Sequence, residues 1–111
     1  MRAEVAHLVR VAKRLTEASG YLELGLTARA LDCLEGLEPH GPFEAGVALI
    51  RGEALRLEHR YADAAAALKV AAAKVPAPHD KSAWLALSLC FGQAGNLKQA
   101  IQMLARARGA K

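Results

Sequence analysis

Small residues recur in one register along this chain, and that recurrence constrains the fold more than any other feature. Ala30, Ala64 and Ala100 stand 34 and then 36 residues apart. The same surroundings accompany each: Gly25, His59 and Gly95 come before, Thr27, Tyr61 and Leu97 just after those, then Leu34, Leu68 and Leu104, then Leu37, Ala71 and Ala107. A period of that size is one supersecondary unit, and such a unit buries its apolar face only by stacking on its neighbours. The middle unit, AGVALIRGEALRLEHRYADAAAALKVAAAKVPAP over 45–78, is the one around which the others align.

Helical spacing fills these units. The chain is 53% hydrophobic but 5% aromatic, a balance set by Ala and Leu that favours closely packed helices over sheets. Val5, Leu8, Val9, Ala12 and Leu15 follow the amphipathic rule, with Arg10, Lys13, Arg14 and Glu17 opposite, so a helix is predicted from Arg2 to Ser19. Gly20 either ends it or lies inside a helix continuing to Leu24. A second helix is expected from Thr27, as N-cap, through Leu37, stopped by Glu38-Pro39-His40-Gly41-Pro42. The third runs from about Phe43 to Glu58 around Val47, Ile50 and Leu55, and after a turn at His59-Arg60 the fourth runs from Tyr61 to Val75, closed by Pro76-Ala77-Pro78. The fifth, from a capping Asp80 to Gln93, carries Trp84, Leu87 and Phe91; the sixth follows Gly95-Asn96 and runs from Leu97 to Arg108. The expectation is one all-α domain over 1–111, with units of about 1–42, 43–78 and 79–111.

The pattern Trp84-x-x-Leu87-Ser88-x-x-Phe91-x-x-x-Gly95, followed by Ala100-x-x-x-Leu104-x-x-Ala107, resembles the tetratricopeptide (TPR) repeat. The resemblance implies three antiparallel helix pairs stacked as a short right-handed solenoid. Small residues at Gly52, Ser88, Ala64 and Ala100 mark helix crossings, with Trp84, Phe91 and Leu68 filling the space between pairs. The first unit departs from the pattern, with Arg14 and Glu17 where an aromatic residue and a Leu are usual. In the second, Ala48 and Arg51 replace that pair and His59 the glycine.

Chemistry-bearing motifs are scarce. His7, His40, His59 and His79 fall in different elements without a second ligand at metal-site spacing, and there is no phosphate loop or nucleophile elbow. No enzyme, metal or cofactor is expected. The net charge of +4 is spread over alternating signs, except at Arg106, Arg108 and Lys111, so a nucleic-acid module is a minor alternative. Cys33 and Cys90 sit in apolar helical patterns and read as buried thiols of a reducing compartment. Neither a signal peptide nor a membrane span is expected, and the reading is soluble and cytoplasmic.

In the TPR family the first helix of each pair lines a concave groove. Carried over residue by residue, the groove takes Ala12, Leu15, Ser19 and Leu22; Leu49, Glu53, Arg56 and Leu57; and Leu85, Leu89 and Gln93. Versions that clamp acidic C-termini need a lysine and asparagines there. Leucines stand at the lysine places, and Ser19, Glu53 and Leu89 at an asparagine place, so the carboxylate clamp is rejected. A leucine-lined groove rimmed by Glu53 and Arg56 suits an amphipathic helix or apolar segment of another protein. Leu49-Ile50-Arg51, Arg60-Tyr61 and Trp84-Leu85-Ala86-Leu87 are also similar to segments of the needle-subunit chaperones of type III secretion systems. That narrower resemblance implies a chaperone for an aggregation-prone helical subunit. Because each unit offers an apolar face to the next, the last pair is expected to be covered in a homodimer or heterocomplex. A scaffold that only self-associates through its repeat ends is the competing reading.

Overall fold

Alanine and leucine at helical spacing produce six helices among the residues described by the computed structural model, 2–37, 43–77 and 79–109. They are α1 (Ala3–Glu23), α2 (Thr27–Leu34), α3 (Glu44–Leu57), α4 (Tyr61–Lys74), α5 (Lys81–Gln93) and α6 (Leu97–Ala107). The chain is all-α. Its extents, 49 × 29 × 19 Å, are those of an elongated slab.

One turn closes all three hairpins. The residue past each C-cap holds a positive φ, 76° at Gly25, 64° at His59 and 89° at Gly95. The amide of that residue donates to the carbonyl three back and the next amide reaches five back: Gly25 to Leu22 and Leu26 to Tyr21, His59 to Arg56 and Arg60 to Leu55, Gly95 to Gly92 and Asn96 to Phe91. This is a Schellman cap, and it satisfies carbonyls the helix end leaves free. Histidine tolerates the left-handed region less well than glycine, and its Nδ1 lies 2.7 Å from the Tyr61 hydroxyl, a bond that supports the turn. Gly20 lies inside α1, which resolves the alternative in favour of the longer helix.

Each helix packs on the next in sequence, α1 on α2 through α5 on α6. Odd helices also touch, α1 with α3 and α3 with α5, and among the described residues no comparable contact joins α2 to α4 or α4 to α6. One core gathers Ala18, Ala30, Cys33, Leu34 and Val47 from α1, α2 and α3; the other gathers Ala48, Leu55, Ala64, Leu68, Ala71, Leu87 and Cys90, among others, from α3, α4 and α5. Helix α3 contributes to both. At its middle the absence of a side chain is structural: a Cβ on Gly52 would lie 2.5 Å from both Cγ and Cδ2 of Leu68 and 3.3 Å from the Ala64 carbonyl. Ser88 serves the α5–α6 crossing differently, donating to the Ala100 carbonyl at 2.8 Å.

Several expectations need correction. Helix α2 ends at Leu34, not Leu37, because Gly36 turns left-handed at φ 78° before the prolines are reached; Leu37 then packs back on the first core. The breaker 38–42, His40, Pro78 and Lys111 lie outside the described residues. Thr27 does not cap α2, since Leu26 is the N-cap and the Thr27 hydroxyl donates to Glu58 Oε2 at 3.0 Å. Asp80 is the N-cap of α5 but accepts from Trp84 Nε1 at 2.7 Å instead of capping an amide. Asn96 is the residue that does cap, taking the Gln99 amide at 3.2 Å. Leu68 lies over Gly52 within its own pair rather than only between pairs.

The largest correction concerns α1. Val5, Leu8 and Val9 are exposed, and the buried positions are Val11 and Ala18, with Leu15 and Leu22 beside them. The cause is length: α1 rises about 31 Å and α2 only about 12 Å, so the first turns of α1 have no partner to bury against.

Gly52→Ala is expected to cost about 1–3 kcal/mol in urea unfolding, the usual penalty for overpacking. Adding Leu68→Ala to it is expected to cost less than the sum of the two single changes, because the smaller side chain vacates the space the new methyl needs.

Candidate binding face

Helix α5 has almost no polar side. In KSAWLALSLCFGQ the inward set, Ala83, Ala86, Leu87 and Cys90, meets α3 and α4, yet Leu85 and Leu89 on the other side remain 45% and 54% exposed. A helix that is apolar all round belongs in an interior or against a partner.

These leucines belong to a depression between α3 and α5 of about 320 Å³, lined by Leu49, Glu53, Ser82, Leu85, Ala86 and Leu89. A second, of about 520 Å³, lies between α1 and α3 and is lined by Leu15, Thr16, Ser19, Gly20, Glu23, Gly46 and Ile50. Both open on the side shared by the odd helices. Helix α3 serves both because its half-buried positions Gly46, Leu49, Ile50 and Glu53 follow the i, i+3, i+4, i+7 stripe.

At the end of the stripe Arg56 binds α3 to α5. Its Nε donates to Glu53 Oε1 and its Nη2 to Glu53 Oε2, each at 3.1 Å, and its Nη1 donates to Gln93 Oε1 at 2.9 Å. The fork on Glu53 raises the Arg56 pKa further above its ordinary value, against the effect of burial. The pair therefore presents little net charge. Cys90, beneath, donates to the Tyr61 carbonyl at 3.3 Å, and burial pushes its thiol pKa up while Arg56 opposes the shift.

Of the residues expected in the groove, Leu49, Glu53, Leu85 and Leu89 come together in one depression and Leu15 and Ser19 in the other. Arg56 and Gln93 are joined beside the first. Leu22 does not line the face; it packs into the core of α1, α2 and α3. Leu57 is exposed at the end of α3 and lines neither depression, and Ala12, half-buried, also lies outside both. The carry-over missed Ile50 and Gly46, which the helical stripe through Leu49 and Glu53 would have added.

Elsewhere the chemistry is sparse. His7, His59 and His79 are exposed, and the described residues contain no group of three metal-ligating side chains. Cys33 and Cys90 are both buried and unpaired. Arg106 lies over the Trp84 ring, 4.9 Å from its centroid, so one cation of the basic tail is engaged within the fold. Among the described residues no helix is long and apolar enough to cross a membrane. Set against known protein families, characterised proteins and solved structures, the chain finds no match.

Arg56→Ala strips Glu53 and Gln93 of their partner and is expected to lower urea stability by about 1–2 kcal/mol, a charged hydrogen bond discounted for partial exposure; Gln93→Ala should cost less than about 0.5 kcal/mol. The raised Cys90 pKa makes a second prediction. Over the window above the ordinary thiol range the native state keeps a proton that the unfolded chain has lost, so this contribution to stability falls as pH rises. Unfolding curves of wild type and Cys90→Ala taken at increasing alkaline pH are expected to converge.

Proposed function

We propose that the chain is a non-enzymatic protein-binding module, and that the face shared by α1, α3 and α5 holds an amphipathic helix or extended apolar segment of another polypeptide. One observation carries this reading: two leucines of an otherwise apolar helix stand exposed beside a depression that a neighbouring helix completes with Leu49 and Glu53. The two depressions lie in succession along one side of the molecule, and each is open, shallow and bordered by few charges. Side chains spaced along one stripe of a helix would enter them in turn. The three matching turns and the contacts among odd helices favour a TPR-like stack with this side concave.

The more specific form of the proposal is a chaperone that shields an aggregation-prone helical subunit, in the manner of the needle-subunit chaperones of type III secretion. An apolar face that is open rather than enclosed supports a client that must be released as well as held. The self-neutralised Glu53–Arg56 pair supports an apolar client over an acidic one.

Leu85→Glu with Leu89→Glu is the informative double change, because both side chains are exposed, whereas Leu49 also packs on the core. Wild type and double mutant are expected to share a thermal midpoint. In co-purification from the native host, the proteins retained by wild type should be lost by the double mutant. Equal retention by both would sink the groove reading.

A further inference from the structure

A second surface lies at the free side of α6. In α4 the stripe Tyr61, Ala65, Leu68 and Ala72 is what α5 covers: the last three are buried, Tyr61 packs on the same core, and the Cys90 thiol of α5 reaches the Tyr61 carbonyl. The same places in α6, 36 residues on, hold Leu97, Ile101, Leu104 and Arg108. Leu97 and Ile101 are 68% and 67% exposed. Among the described residues, the counterpart of the surface on which α5 lies is thus present a second time with no helix packed on it.

Two differences from the covered interface say what fits it. Ile101 stands where α4 has Ala65, so an incoming helix must meet α6 with small residues, not with a leucine such as Leu87. Over 94–109 the chain carries Lys98, Arg106 and Arg108 and no acidic residue. Arg106 is held over Trp84, which leaves Lys98 beside the apolar stripe and Arg108 at its C-terminal end. A second copy paired symmetrically through α6 would bring these cations onto their own counterparts with no carboxylate between them. For a lipid surface the strip is narrow, since Ala100 and Ala107 are turned inward.

We infer that the free side of α6 docks an amphipathic helix of another protein, alanine-rich along its contact stripe and glutamate- or aspartate-bearing on its flanks, lying on α6 as α5 lies on α4. The site is separate from the odd-helix face and stands or falls without it.

The probe is a labelled synthetic helix of about sixteen residues, long enough to span α6. It keeps the alanines of the docking face of α5, has alanine at the Leu87 place, and carries glutamates along both flanks; a twin carries lysines instead. By fluorescence anisotropy, wild type is expected to bind the glutamate peptide about tenfold tighter than the lysine peptide. Lys98→Glu with Arg108→Glu should reverse that preference, and Ile101→Glu should abolish binding of both. All three side chains are exposed, so circular dichroism of the variants is expected to match wild type, and the Leu85→Glu, Leu89→Glu protein should still bind. Absence of binding, or binding without charge preference, overturns the inference. So does a dimer in sedimentation equilibrium that Ile101→Glu dissociates, which would put a second copy on this face. Capture by phosphatidylcholine–phosphatidylserine vesicles that Ile101→Glu removes would assign the face to lipid and overturn it equally.

Discussion

The close approach of α3 and α4 at Gly52 is the contact on which the rest of the structure depends. Leu68 fills the space a Cβ would need, and the Ala64 carbonyl lies just behind it. Because the two backbones come that near, α3 can reach the α1–α2 core on one side while α4 offers a flat alanine face to α5 on the other. The same economy extends along the chain: twelve of the twenty buried apolar residues named among the described residues are alanine. Such a core is held by backbone proximity and dispersion contact rather than by large side chains, and each helix crossing tolerates little added volume.

That arrangement releases the larger apolar side chains for other work. Trp84, Phe91 and Tyr61 sit at the margins of the second core, and Leu85, Leu89, Leu97 and Ile101 are exposed. In a chain whose interior is built from alanine, exposed leucine is surplus to folding. Selection for solubility alone would place lysine or glutamate at those positions. Charge is handled in the opposite way, with Arg56 closed on Glu53 and Arg60 on Asp63, so the apolar faces are left bordered by local pairs instead of a long-range field.

What could be read from the residues follows from how local the cause is. The turns at Gly25, His59 and Gly95 were legible because a left-handed residue is demanded by the hairpin itself, and the small residues at Gly52 and Ser88 because a crossing demands them. The buried stripe of α1 was not. Its sequence contains two stripes at helical spacing, one through Val5, Leu8 and Ala12 and one through Val11, Ala18 and Leu22, and both include Leu15. Only the position of α2 and α3 decides between them, and that depends on α2 stopping at Gly36, one signal earlier than the prolines. Leu22 and Leu57 were misplaced for a related reason: a repeat template fixes the register of a residue but not which neighbour stands opposite it. The shared face itself was legible through Leu15, Leu49, Leu85 and Leu89, since those positions repeat with the units.

Repetition also means that interfaces come in matched sets. Whatever surface lets α4 receive α5 must reappear on α6, altered only where substitution has altered it, so the alterations are informative. Side chains that had only to face water at the places of Ala65 and Tyr61 would be polar. The chain has isoleucine and leucine there, more apolar bulk than the internal interface uses, with Lys98 beside them, Arg108 at the end of the stripe and acids absent over 94–109. Enlarging an apolar stripe while giving it a charged rim is what recognition requires and what solvation does not. The same logic separates the two faces, because the odd-helix side is repeated with little charge of its own, whereas the α6 side departs from the repeat in one consistent electrostatic direction.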